Sequence, residues 1–408
     1  MTVPYLCLLA LAALGFLILW REGLLREKPA LFLSAALLLA AMALRGAMLP
    51  HETLDYQDFL TRWVDFYRQN GGFAALNRSV GNYNVPYLYF LALFSYLDIR
   101  DLWLIKLLSI LFDVVLAWGA LRLDARFRKG AAAPLAAFFL TLFLPTVLLN
   151  GAYWGQCDSI YGAFAVWSLV FALENKPIRS VVAIALSFAF KLQAVFLMPV
   201  FLVFLFAKKM KWWHLAFFPL TYLAVVLPCV LLGRPLVDTI LIYVNQADTV
   251  GGALNYNSAS VFALLRNVTD PELFSRLGVA VAFVFLFLVF TLCYLRRRRL
   301  TDRALLGCAV LICLGVPFLL PHMHDRYFFL ADTLSLALAV VSPALFPLPI
   351  LVSFGSLMGY HAYLTMRWFL DKPQSMAWGA AAMAVTLALL IWDLLRQTSP
   401  HGNPKKSG

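Results

Sequence analysis

The chain has 408 residues, of which 62% are hydrophobic and 13% charged, against about 45–50% and about 25% in an ordinary soluble domain. That balance excludes a soluble globular enzyme and points to a membrane protein. The net charge of +12 would suggest a nucleic-acid partner in a soluble chain, but in a membrane protein basic residues gather on the cytoplasmic side and must first be sorted by loop.

A membrane helix needs about 20 apolar residues, and about eleven such runs are expected, near 4–20, 30–49, 102–121, 131–149, 158–173, 214–232, 277–295, 304–320, 327–342, 347–364 and 376–395. The first run has no Lys or Arg before it and no small-residue cleavage site, so it is expected to remain as a helix. Three shorter apolar pieces, 85–98, 180–190 and 192–207, read as half-helices or re-entrant segments. The fold expected is therefore an all-α polytopic bundle, forming one membrane domain over 1–397 with a polar tail at 398–408. Six scattered cysteines show no paired spacing and read as packing residues.

Alternate connections hold 20 of the 33 basic residues and six of the 21 acids, a net of +14, while the remainder of the chain carries −2. The positive-inside rule then puts the N-terminus outside and the C-terminus in the cytoplasm. The long polar loops at about 50–84 and 233–276 fall on the external face, with the short links 150–158, 321–326 and 365–375. Any chemistry is expected there.

The first external loop has apolar or aromatic residues at 56, 59, 60, 63, 66 and 67, the spacing of an amphipathic helix at the membrane interface. Asp55 directly follows a membrane helix, where partial desolvation suits a carboxylate to accept a proton from a sugar hydroxyl. It could equally be an N-cap, with Asp58 and Asp65 on the solvated face. In Tyr153-Trp154-Gly155-Gln156-Cys157-Asp158, Asp158 is either a helix cap or, with Trp154 and Gln156, part of a sugar-binding surface.

Phe190-Lys191-Leu192-Gln193 interrupts a long apolar stretch. A charge at that depth costs about 2.5–3.5 kcal/mol on insertion and is a functional candidate by default. A break between two half-helices would put Lys191 at the external mouth, within reach of a phosphate; snorkelling is the alternative. His322-Met323-His324-Asp325-Arg326 reads as an anion site in preference to zinc, because Arg cannot ligate and no third ligand is evident. Asp325 is a competing base or the partner of Arg326. Lys106 and Asp113, seven residues apart, share one face of a membrane helix and mark the side that looks inward. The second long loop offers Tyr243, Gln246, Asp248, Asn255, Tyr256 and Asn257, as suited to carbohydrate as to an ordinary Gly/Asn-rich loop.

Four motifs in order resemble the GT-C superfamily of membrane glycosyltransferases that use polyprenyl-phosphate-linked sugars: Asp55-Tyr56-Gln57-Asp58 through Gly71-Gly72; Asn82-Tyr83-x-x-Pro86-Tyr87-Leu88-Tyr89; Trp154-Gly155-Gln156-x-Asp158 with Phe190-Lys191-x-Gln193; and His322-x-His324-Asp325-Arg326-Tyr327. The likeness is nearest to bacterial mannosyltransferase-like members and to the eukaryotic lipid-linked mannosyl- and glucosyltransferases. It implies a GT-C-like helical bundle, a catalytic base at Asp55 with Asp58 second, and donor-phosphate contacts at Lys191, His322, His324 and Arg326. Sugar or acceptor contacts would fall on Tyr83, Trp154, Gln156, Asp158, Gln193 and Asn257. The reaction implied is inverting transfer of a mannose- or glucose-like hexose to a glycan, glycolipid or polymer hydroxyl at the external face of a bacterial plasma membrane. No cofactor is called for, no divalent ion is indicated, and no nucleic acid takes part. The competing readings are a lipid or oligosaccharide transporter or flippase, which would favour inverted repeats that this chain lacks, and a membrane polysaccharide polymerase or acyltransferase.

Overall fold

The structure, a computed structural model, describes residues 2–247, 251–265 and 268–399; the side chains of 245–247 fall outside that description. The loop candidates Gln246 (its side chain) and Asp248, and the tail beyond 399, therefore lie outside the described residues. Helices account for 77% of the described residues, as expected where backbone polar groups in the bilayer must be satisfied within one segment. In chain order they are α1 Thr2–Arg21, α2 Lys28–Met48, α3 Thr61–Gln69, α4 Val85–Phe94, α5 Asp101–Ala125, α6 Ala132–Phe143, α7 Pro145–Leu148, α8 Asp158–Leu173 and α9 Pro177–Phe190. There follow α10 Val200–Phe206, α11 Phe217–Leu231, α12 Leu236–Ile240, α13 Ile242–Ala247, α14 Pro271–Leu295, α15 Asp302–Leu319, α16 Phe329–Val341, α17 Pro347–Thr365 and α18 Lys372–Gln397. The strands β1, Asn255–Tyr256, and β2, Met323–His324, pair in parallel.

Among the described residues eight helices are long and apolar enough to cross a membrane, and a bent pair, Ala132–Phe143 with Pro145–Trp154 at 47°, makes a ninth. The remaining two expected spans, 158–173 and 327–342, are the 16-residue α8 and the 13-residue α16. The three expected half-helices are also present: α4, α9, and a 3-10 turn at Leu192–Phe196 followed by α10. The protein is an integral multi-pass membrane protein. All six cysteines are free thiols.

The chain divides into two compact units. The first, Met1–Val170 with Ile178–Ala194 and Leu215–Val250, is built around α5, which packs on α1, α6 and the segment Leu149–Trp154. Two π-helical turns interrupt its helices, one at Tyr56–Leu60 and one at Leu149–Trp154. Lys106 and Asp113 do turn inward and bind α2 rather than each other. Asp113 accepts from Arg45 Nε at 2.9 Å, with both side chains wholly buried, and Lys106 Nζ donates to the carbonyls of Met48, Leu49 and His51 at 3.0, 3.3 and 2.6 Å. The expected amphipathic helix is a π-turn followed by α3. Tyr56, Leu60, Trp63, Val64 and Tyr67 are buried, and α3 packs on α4 and α5.

The second unit, Phe171–Pro177 with Val195–His214 and Gly251–Gly408, centres on the buried α15, which contacts α14, α16 and α18. In it α17 and α18 approach closely at Gly355 and Gly379, where a Cβ on Gly355 would lie 3.1 Å from the Gly379 carbonyl. Such small-residue contacts bring membrane helices together without a hydrophobic driving force.

Candidate active site

Three elements of the first unit converge on Asp55. It follows α2 by a short loop and stands at the start of the π-turn Tyr56–Leu60. Its backbone is helical and its side chain makes no capping bond, so the N-cap alternative is set aside. Its Oδ2 instead accepts from the Trp154 indole at 2.8 Å and from Gln156 Nε2 at 2.5 Å. Both donors belong to the Trp154-Gly155-Gln156 motif, about a hundred residues further along the chain.

That motif is anchored from beneath. Thr53 Oγ1 donates to the Trp154 carbonyl at 3.0 Å and Ser109 Oγ to the Gln156 carbonyl at 2.6 Å. Gly155 turns the chain with φ +80°, a left-handed conformation that glycine adopts without strain, and the Lys106 stem lies beneath it, 3.7 Å from where a Cβ would project. One lysine thus ties down both the segment before Asp55 and the turn that holds it. Alongside, the His51 ring stacks on Tyr153 with centroids 3.7 Å apart. Burial and the neighbouring Lys106 charge hold the imidazole below the ordinary histidine range.

A second polar group adjoins the first. Gln156 Oε1 accepts from Tyr83 OH at 3.2 Å, and Lys191 Nζ lies 5.9 Å from the ring centroids of both Tyr83 and Tyr161. Lys191 forms a buried ion pair with Asp158, whose Oδ2 also accepts from Asn150 Nδ2 at 2.6 Å. Lys191 occupies the break between α9 and the turn Leu192–Phe196, where the reading as two half-helices put it. Next to it, the buried Gln193 Oε1 has no hydrogen-bond partner among the described residues.

The remaining residues named from the sequence stand apart from Asp55's partners. Asp58, on the same loop, is half exposed and pairs with Arg62 at 3.3 Å. His322, His324, Arg326 and Asn257 belong to the second unit. There β1 and β2 set Tyr256 beside His324, with their rings stacked at 4.6 Å and 8°, and Asn257 bridges to His324. His322 adopts φ +61°. Its Nδ1 lies 2.8 Å from the Ala253 carbonyl, which can only accept, so that nitrogen carries the proton, and Nε2 meets Ser275 Oγ at 3.0 Å. His322 thereby pins the loop. Asp325 is buried and Arg326 partly so.

A family model, Glycosyltransferase family 87, matches residues 82–320. The chain belongs to that family. The match takes in Tyr83, Trp154, Gln156, Asp158, Lys191, Gln193 and Asn257, and ends just before His322; Asp55 and Asp58 precede it. No curated protein matches the chain. The protein is thus a membrane glycosyltransferase. Several residues of this glycosyltransferase's first unit escaped the sequence reading: Arg45, Asn150, Thr53, Ser109, and Ser159, which donates to Asp113 at 2.5 Å. Arg45 had a legible signal, a charge within a predicted span. The others are small polar residues of the kind that fill any membrane helix.

Proposed function

We propose that this glycosyltransferase moves a hexose, mannose- or glucose-like, from a polyprenyl-phosphate donor to an acceptor hydroxyl, with inversion and with Asp55 as base. The observation that carries the proposal is the two-donor grip of Trp154 and Gln156 on Asp55, which holds one carboxylate oxygen in a fixed position just after α2. Preorganised geometry of this kind is what a general base needs. In this scheme Asp55 takes the hydroxyl proton as the acceptor oxygen attacks the anomeric carbon. The bond from that carbon to the phosphate oxygen breaks on the opposite side, and its electron pair leaves with the phosphate.

A sugar phosphate already has a good leaving group, so a second carboxylate acting as acid, as in a glycosidase, is unnecessary. Cations stabilise the departing charge. The candidate in the first unit is Lys191; the alternative set is His324 and Arg326, on the loop of the second unit that His322 holds. Trp154, Gln156 and Asp158 act here through Asp55 and Lys191, and Tyr83 and Gln193 offer polar contacts to sugar or acceptor, with Asn257 the corresponding candidate on the second unit. The reading assigns no cofactor. By the charge distribution the site faces the exterior and the C-terminus the cytoplasm. Membership of a glycosyltransferase family weighs against the transporter alternative.

The test uses membranes containing the full chain and labelled lipid-linked hexoses. Asp55→Asn should remove transfer while the protein is still made and inserted; full activity in that variant overturns the base assignment. Lys191→Ala or, for the alternative set, Arg326→Ala should raise the donor KM about 10-fold or more, as expected for a lost charge-assisted contact. Unchanged donor kinetics in both remove their phosphate role. Transfer from a nucleotide sugar in place of the lipid-linked donor would replace the donor class.

A further inference from the structure

The second unit carries a cationic turn that the glycosyl-transfer reading does not use. After α14 the chain makes a 3-10 turn, Arg297–Arg299, so that four arginines, Arg296 to Arg299, stand in a row at the end of a membrane-spanning helix. The acids at this end of the unit are already engaged: Asp302 with Lys209 at 2.7 Å, Asp393 with Arg303 at 2.5 Å, and Glu174 with Lys176 at 2.5 Å. Arg296 donates to the Leu395 carbonyl and to Thr398 Oγ1, and Arg297 lies over the Tyr294 ring at 4.4 Å. Arg298 and Arg299 are exposed, and their side chains make no ion pair or hydrogen bond among the described residues.

Two further features give this charge a shape. Leu295 and the four arginines line a cavity of about 480 Å³. Leading away from it along α14, Phe283, Phe287 and Leu295 lie on one i, i+4 row with Thr291 and are 68%, 68% and 72% exposed. A guanidinium fork matches phosphate oxygens in a bidentate manner, and an uncovered aromatic and aliphatic row along a membrane helix suits acyl chains. The ligand that satisfies both is a phosphate with a hydrocarbon tail.

We propose that this turn binds an anionic phospholipid, its phosphodiester on Arg298 and Arg299 and its acyl chains along Phe283, Phe287 and Leu295. Neighbouring cations keep these guanidiniums from sharing an internal acid, so the counter-ion comes from the bilayer. The inference is independent of the reaction assigned above and of which side of the membrane the turn occupies.

The experiment takes the purified full chain in a neutral detergent and measures its unfolding temperature with phosphatidylglycerol, with phosphatidylcholine, and with glycerol phosphate, which has the headgroup chemistry but no tails. Phosphatidylglycerol should raise Tm by about 3–5 °C more than phosphatidylcholine, as a ligand bound only by the folded state does. Glycerol phosphate should give little or none of that shift, and a full shift from it would turn the site into one for free phosphate. In Arg298→Gln/Arg299→Gln the lipid-specific part of the shift should disappear while Tm in phosphatidylcholine stays put. If that variant fails to fold, the wild-type protein decides: about 1 M salt, which shortens the screening length from about 10 Å to about 3 Å, should shrink the shift. Equal stabilisation by the two lipids, or a shift that survives both the double substitution and the salt, overturns the proposal.

Discussion

Lys106 shows how a single side chain can prepare a site it never touches. Its ammonium is wholly buried, and its three donors go to three backbone carbonyls at the end of α2, where the helix dipole also favours a cation. Its stem lies under Gly155. Replacing it with methionine leaves the packing volume but frees the segment that delivers Asp55 to Trp154 and Gln156. A displacement of about 1 Å at a reacting group can cost about 100-fold in rate, so Lys106→Met should lower kcat by about 10- to 100-fold with the donor KM nearly unchanged. Lys106→Gln, which can still donate to two carbonyls, should recover part of the loss. A parallel fall in Tm and in the amount of folded protein, with normal kcat in what remains, would make the role purely structural. The sequence marks Lys106 and Asp113 as inward-facing because charge is rare in a span. It does not say what they bind, since backbone carbonyls carry no signature in a sequence.

Helix-to-helix attachment in the first unit rests on a second buried charge system. Arg45 on α2 and Asp113 on α5 pair with no solvent contact, and Arg45 also donates to the Leu142 carbonyl of α6 at 3.0 Å. Removing one partner strands the other charge, which costs about 3–5 kcal/mol, whereas removing both can be close to neutral. Arg45→Met or Asp113→Leu alone should therefore lower the unfolding temperature strongly, and the double substitution should recover most of the loss; additive losses in thermal unfolding would refute the coupling. The elements themselves were largely readable from the sequence. Apolar run length located the eight long apolar helices and the bent pair, but it also counted as spans the shorter α8 and α16; the break at Lys191 was visible as a charge between two runs too short to cross. Neither π-turn was legible, because the one-residue shift in apolar phase that each introduces falls in stretches of five and six residues, too short to display a period on either side. The Asp55 contacts with Trp154 and Gln156 were likewise hidden: the sequence offered all three residues, but assigned Trp154 and Gln156 to sugar, since nothing local reveals a partner about a hundred positions away.

Across the whole molecule, the charge asymmetry is the most economical guide to orientation. If basic connections lie in the cytoplasm, a fluorescent reporter fused after Gly408 should glow in cells, and a reporter enzyme active only outside should work when fused within the 50–84 or 233–276 loop. The opposite pattern would invert the sidedness and move Asp55 to the cytoplasmic face. The two π-turns also carry a consequence for how this chain can vary in length. Each residue of a helix advances the chain by about 100°, so deleting one residue from Tyr56–Leu60 would rotate α3 away from its buried side, and deleting one from Leu149–Trp154 would swing the indole off Asp55. Loops elsewhere can lengthen or shorten at little cost, but these two stretches count residues. Insertions and deletions, more than substitutions, are what this site should fail to survive.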